Sequence, residues 1–179
     1  MAGQEVNALP KLVIADASPL IALSLVGQLP LLKSLFGQVL VSSIVIQEVL
    51  TGKFDRGESD IRAAFDDGWL ATCDAALAEE DLRGLDPGET QAILQAITLA
   101  REGLAPLLLM DERAGRSAAT EYKLTCLGTA ALIALAKRQG LIPSAASVLQ
   151  ELLQREFRIS QAVIREVLTS VGESLGQSK

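Results

Sequence analysis

Lys11-Leu12-Val13-Ile14-Ala15-Asp16 and Pro106-Leu107-Leu108-Leu109-Met110-Asp111 are two short apolar runs, each ending in an aspartate. Continuous apolar runs of this length, flanked by helical patterns, read as strands buried on both faces of a parallel sheet. In an open α/β sheet, ligands bind in the crevice beyond the carboxyl ends of the strands. Two carboxylates delivered to that edge from distant parts of the chain point to a divalent metal site.

Strand and helix signals alternate outward from these runs. Ser18-Pro19 reads as a helix cap followed by proline at the first helical position, with the helix stopping at Gly27. A short helix over 29–36, a strand at Val39-Leu40-Val41 and a helix capped by Ser43 follow. Residues 53–59 are polar and glycine-bearing and are expected to form a mobile loop, with a helix over 60–67. Trp69 to Cys73 reads as a short extended piece, and Leu124 to Leu127 as an edge strand. Asp86-Pro87-Gly88-Glu89 opens an amphipathic helix, and further helices are expected over 114–123, up to Gln139-Gly140, over 147–156, and from a Ser160 cap to 171. This alternation predicts a parallel α/β sandwich with a helical C-terminal extension.

The length of 179 residues suits one full core, and with 49% hydrophobic but only 3% aromatic residues that core must be aliphatic. Histidine is absent, which removes Ser-His-Asp and Cys-His mechanisms and histidine-ligated zinc. The net charge of −6 disfavours a broad basic grip on nucleic acid but allows a basic rim around a metal-loaded pocket. Cys73 and Cys126 sit in apolar surroundings and read as buried reduced thiols. No apolar run reaches the roughly 18 residues of a membrane span, and Met1-Ala2-Gly3-Gln4-Glu5 lacks the basic start of a signal peptide. A cytoplasmic protein without a membrane partner is expected.

Four acids stand out: Asp16, Glu48, Glu89 and Asp111. Hard cations such as Mg²⁺ or Mn²⁺ take oxygen ligands, so a cluster of carboxylates from several elements suits them. Each acid also has a structural reading. Asp16 and Asp111 fit strand-end turns. Glu89 fits a capping box with Asp86, and Glu48 fits a solvated helix face. Glu112 is a further ligand or a helix-start acid that favours the dipole. Arg113 and Arg116, on the first turn of the next helix, suit phosphate binding or pairing with nearby acids. Lys53 and Arg56 on the proposed loop suit a nucleic-acid backbone or simple solvation.

The stretch Val13-Ile14-Ala15-Asp16-Ala17-Ser18-Pro19-Leu20-Ile21-Ala22-Leu23 resembles the opening of PIN domains, in particular VapC-related prokaryotic proteins with a helical C-terminal extension. Val41 to Val49 is similar to the segment bearing the family's second acid, Leu85 to Ile93 to that bearing the third, and Leu108 to Arg116 to that bearing the fourth. Leu127-Gly128-Thr129, Ala136 to Pro143 and Phe157 to Ser160 match the family's tail. Glu112 departs from the pattern, which more often has aspartate there.

The resemblance covers about residues 11 to 172. It implies a PIN-like domain over 11–143, a three-layer α/β/α sandwich with a central parallel sheet, and a helical extension over 144–172, packed on the domain or on a partner. It also implies a Mg²⁺- or Mn²⁺-dependent endoribonuclease, the toxin of a toxin–antitoxin pair, with RNA as substrate and a small antitoxin as partner. Asp16 and Asp111 would be central ligands and Glu48 and Glu89 would complete the set. Ser18 would act beside Asp16, and Arg113 and Arg116 would face phosphate. The alternative is a non-catalytic PIN-like regulatory or binding module. A phosphatase using Asp16 as nucleophile fits less well, because Ser18 stands where a second aspartate is wanted. Leu149, Leu152, Leu153, Val163, Val167 and Leu168 lie at helical spacing and fit either a homodimer or partner face, or the domain's own core.

Overall fold

The computed structural model describes residues 12–52, 55–74 and 82–175, with side chains of the middle stretch described from residue 57. Five strands, β1 (Val13–Ala15), β2 (Val39–Val41), β3 (Leu70–Thr72), β4 (Leu107–Leu109) and β5 (Thr125–Leu127), form one sheet. All pairings are parallel and the order is β3-β2-β1-β4-β5. The chain builds outward from β1 through β2 and β3, then returns to the other side of β1 for β4 and β5. The order therefore reverses between β1 and β4, which makes that crevice the topological switch point.

The two apolar runs form this central pair, with Ala15 beside Leu109. Successive residues of a strand face opposite sides of the sheet. Val13, Ala15, Leu107 and Leu109 enter one core, while Ile14, Leu108 and Met110 enter the other. Both cores must be covered, which is why the runs are continuously apolar. The helices that cover them are α1 (Ala17–Leu25), α2 (Pro30–Phe36), α3 (Ser43–Val49), α4 (Asp55–Asp66), α5 (Pro87–Arg101), α6 (Arg113–Glu121), α7 (Thr129–Arg138), α8 (Ala145–Gln154) and α9 (Gln161–Ser170). Helices α5 and α6 line the Ile14 side, and the others line the Val13 side. The result is a three-layer α/β/α sandwich.

Several boundaries differ from those read in the sequence. The cap of α1 is Asp16, not Ser18, so Pro19 falls in the first turn, where its missing N–H costs nothing. The cap of α3 is Ser42, whose Oγ accepts the Val45 N–H at 3.1 Å. Helix α8 starts at Ala145 behind a Ser144 cap. Residues 55–59 of the expected loop are helix: α4 begins at Asp55, because its Ile61 and Ala64 pack into the core beside α1. Lys53 and the Arg56 side chain lie outside the described residues. Cys73 and Cys126 are free thiols but only half-buried, and Gln95 donates a hydrogen bond to Cys73 Sγ.

Helices α8 and α9 pack on α7 and on each other, and Leu149, Leu152, Val167 and Leu168 are buried in the shared core. Leu153 is partly covered and Val163 is 41% exposed. No single described helix is long and apolar enough to cross a membrane. Helices α1 and α2 together have the composition, but they are bent by 119° and supply core residues.

Candidate metal centre

Asp16 follows β1 directly, and its backbone N–H extends the ladder to Leu109 O at 3.0 Å. Although it occupies the cap position of α1, its side chain makes no capping hydrogen bond. The carboxylate is therefore left for the crevice. It is 3% exposed. Burial pushes its pKa up from 3.8 to about 7; the Ala17 N–H offsets this partly, and Asp86, Glu89 and Glu48 add like-charge repulsion.

Glu48 enters from α3 and Asp86 from the start of α5. One ligand oxygen from each of Asp16, Glu48 and Asp86 lies within 4.8 Å of the others. Burial raises the Glu48 pKa, Asp86 and Glu89 raise it further, and the Gly88 N–H lowers it. In the sequence Asp86 reads only as a cap, and it is one: Asp86 Oδ1 accepts the Glu89 N–H at 2.8 Å, and Glu89 Oε2 accepts the Asp86 N–H at 3.1 Å. A carboxylate has two oxygens, so capping with one leaves the other for the cluster. That spare acceptor is the signal that would have added Asp86 to the candidate acids.

Glu89 adds its charge to this trio, whereas Asp111 stands after the neighbouring strand β4 and is not one of the three that converge. Glu89 is 3% exposed and its Oε1 is buried without a hydrogen-bond partner. Its pKa is raised by burial and by Asp86 and Glu112. Asp111 follows β4 and is held by Thr129, whose N–H reaches Oδ1 at 2.8 Å and whose Oγ1 reaches Oδ2 at 2.5 Å. Burial outweighs these bonds and the nearby Arg116, so its pKa is also raised. Arg116 lies beside Asp111 and its Nη1 reaches Met110 O at 3.4 Å. Arg113 opens α6 and is exposed, as is Glu112, the cap residue of that helix. Ser18 is half-buried on the first turn of α1 and makes no hydrogen bond to a carboxylate among the described residues.

The donor set fits a hard divalent cation. Three oxygens converge, a fourth carboxylate keeps an orphaned buried oxygen, and close-packed acids raise one another's pKa instead of being neutralised.

A parallel sheet with acids gathered at its switch point defines the class, and the sequence comparison agrees: the chain belongs to the family described as DUF3368: PIN domain, which it matches over residues 12–173. In fold it is similar to a PilT N-terminus domain protein, SSO1118, from the hyperthermophilic archaeon Sulfolobus solfataricus P2. The TM-score is 0.53 at 16% identity, covering 70% of this chain and 92% of that one. No curated protein matches the sequence.

Proposed function

We propose that this protein is a Mg²⁺- or Mn²⁺-dependent endoribonuclease. The observation that carries the reading is the convergence of Asp16, Glu48 and Asp86 at the switch point, where Asp16 is buried. A charged cluster of this kind costs folding free energy in the absence of a cation, so its presence is best accounted for by ion binding. Asp16, Glu48 and Asp86 would hold the ion, with Glu89 beside them and Asp111 at the end of the neighbouring strand β4. When bound, such an ion supplies Lewis acidity and charge neutralisation for phosphodiester hydrolysis.

The protein's own groups do the rest. Arg113 and Arg116, exposed at the start of α6 next to Asp111, bind the phosphate and bring a polyanion to a chain of net charge −6. Thr129 fixes Asp111, and the α5 capping box fixes Asp86 and Glu89. Single-stranded or looped RNA is the substrate this reading favours, because its unpaired backbone is free to bend into the crevice.

The role as the toxin of a toxin–antitoxin pair is supported by the resemblance to VapC-related proteins. It is tested by induced expression in a bacterium lacking the protein. Growth arrest with RNA fragmentation, both absent in Asp16→Asn, is the expected result. Unimpaired growth with intact RNA argues against the toxin role.

A further inference from the structure

We infer that Gly88, Gly115 and Gly128 are positioning residues, each leaving the space that seats one acid of the metal centre. This rests on the metal reading above. Among the described residues, eight other glycines turn the backbone through positive φ and have open space where a Cβ would stand. The three here are the reverse: none has positive φ, and each is crowded by a carboxylate.

A Cβ at Gly88 would stand 2.5 Å from Glu48 Oε2 and 2.9 Å from Oε1. One at Gly115 would meet Glu89 Oε1 at 3.1 Å and collide with Met110 Sδ. One at Gly128 would meet Asp111 Oδ1 at 3.1 Å and Arg116 Nη1 at 2.7 Å. The glycines come from three separate elements, α5, α6 and the cap of α7, yet each faces a different one of the acids.

Gly88 is the clearest case. It lies in the first turn of α5, where alanine would suit the helix better. Its N–H also donates to the Glu48 carboxylate. The obstructed atoms are the far end of a flexible side chain, so an added methyl group displaces the carboxylate without unfolding the helix. The seat therefore acts on ion binding and not on stability.

The test is calorimetric titration of MnCl₂ into purified full-length protein at pH 8, with thermal unfolding in EDTA alongside. Gly88→Ala is expected to weaken Mn²⁺ binding at least tenfold while its unfolding midpoint in EDTA stays equal or rises. Glu48→Asp withdraws the carboxylate by one methylene and makes room for the methyl group. On that background, adding Gly88→Ala is expected to cost less than threefold. Wild-type affinity in Gly88→Ala, or the same loss on both backgrounds, overturns the seat. A wild type that binds no Mn²⁺ overturns the metal reading itself, and the seat with it. Should Gly88→Ala not fold, the double variant decides: recovery of folding supports a clash with Glu48, and continued failure refutes it.

Discussion

Thr129 grips Asp111 with two donors, its backbone N–H on Oδ1 at 2.8 Å and its hydroxyl on Oδ2 at 2.5 Å. Thr129 is fully buried and Asp111 is partly so. Burial raises the pKa of Asp111, and the two Thr129 bonds oppose that rise more than any other group. The first residue of α7 thus decides how readily the aspartate after β4 stays ionised.

Thr129→Val keeps the shape and the backbone bond but removes the hydroxyl. The lost charge-assisted bond should cost about 1–3 kcal/mol in urea unfolding at neutral pH. The Asp111 pKa should rise further, which a carboxyl NMR titration would read. An unchanged pKa would show that the hydroxyl does not stabilise the carboxylate.

Asp16→Asn should stabilise the protein in EDTA. The folded-state pKa of about 7 lies above the ordinary 3.8, first through burial and then through Asp86, Glu89 and Glu48. Below pH 3.8 both folded and unfolded states hold the proton and nothing is lost. As pH rises towards 7 the unfolded chain releases the proton while the fold retains it, so metal-free stability falls and levels off above 7. The advantage of asparagine should therefore grow across that interval, to at most about 4 kcal/mol. Equal or lower stability of the variant at pH 8 in EDTA would count against a strained acidic cluster.

Asp86 both caps α5 and meets the carboxylates of Asp16 and Glu48, and substitution separates the two. Asparagine caps a helix about as well as aspartate, so Asp86→Asn should hold stability in EDTA within about 0.5 kcal/mol or better while weakening Mn²⁺ binding at least tenfold. Asp86→Ala should lose both, with about 1 kcal/mol lost from the cap. If Asp86→Asn binds Mn²⁺ as the wild type does, Asp86 is a cap and nothing more.

Away from the site, Glu173 ties the chain beyond α9 to the start of α8. It accepts from the Ala146 N–H at 2.8 Å and Ser144 Oγ at 2.9 Å, and pairs with Lys137 Nζ at 3.2 Å. The Ala146 N–H leads in lowering its pKa from 4.5 to about 2. Its contribution is complete above pH 4.5 and is lost as pH falls towards 2. Glu173→Gln should lower stability at pH 7 by roughly 1 kcal/mol and flatten the acid limb between those values. A parallel acid limb in the variant would refute this.

The central pair of strands was legible because burial on both faces leaves a continuous apolar signature in Leu12 to Ala15 and Leu107 to Met110. Asp16 and Asp111 were legible because they end those strands. Asp86 stayed hidden behind a cap role that fully accounted for it, and only the three-dimensional structure brings its carboxylate to those of Asp16 and Glu48. The start of α4 was missed because residues 55–59 are polar and contain a glycine; packing beside α1 overrides that weak local preference. The choice of Asp16 over Ser18 as the α1 cap was likewise invisible, since serine before proline is the stronger local signal.

The most direct measurement is cleavage of a mixed panel of structured and unstructured RNAs by the purified protein, in Mn²⁺, in Mg²⁺ and in EDTA, beside Asp16→Asn and Asp111→Asn. Cleavage is expected to require a divalent ion, to favour unpaired RNA and to disappear in both variants. Cleavage that persists in EDTA or survives both substitutions would contradict it.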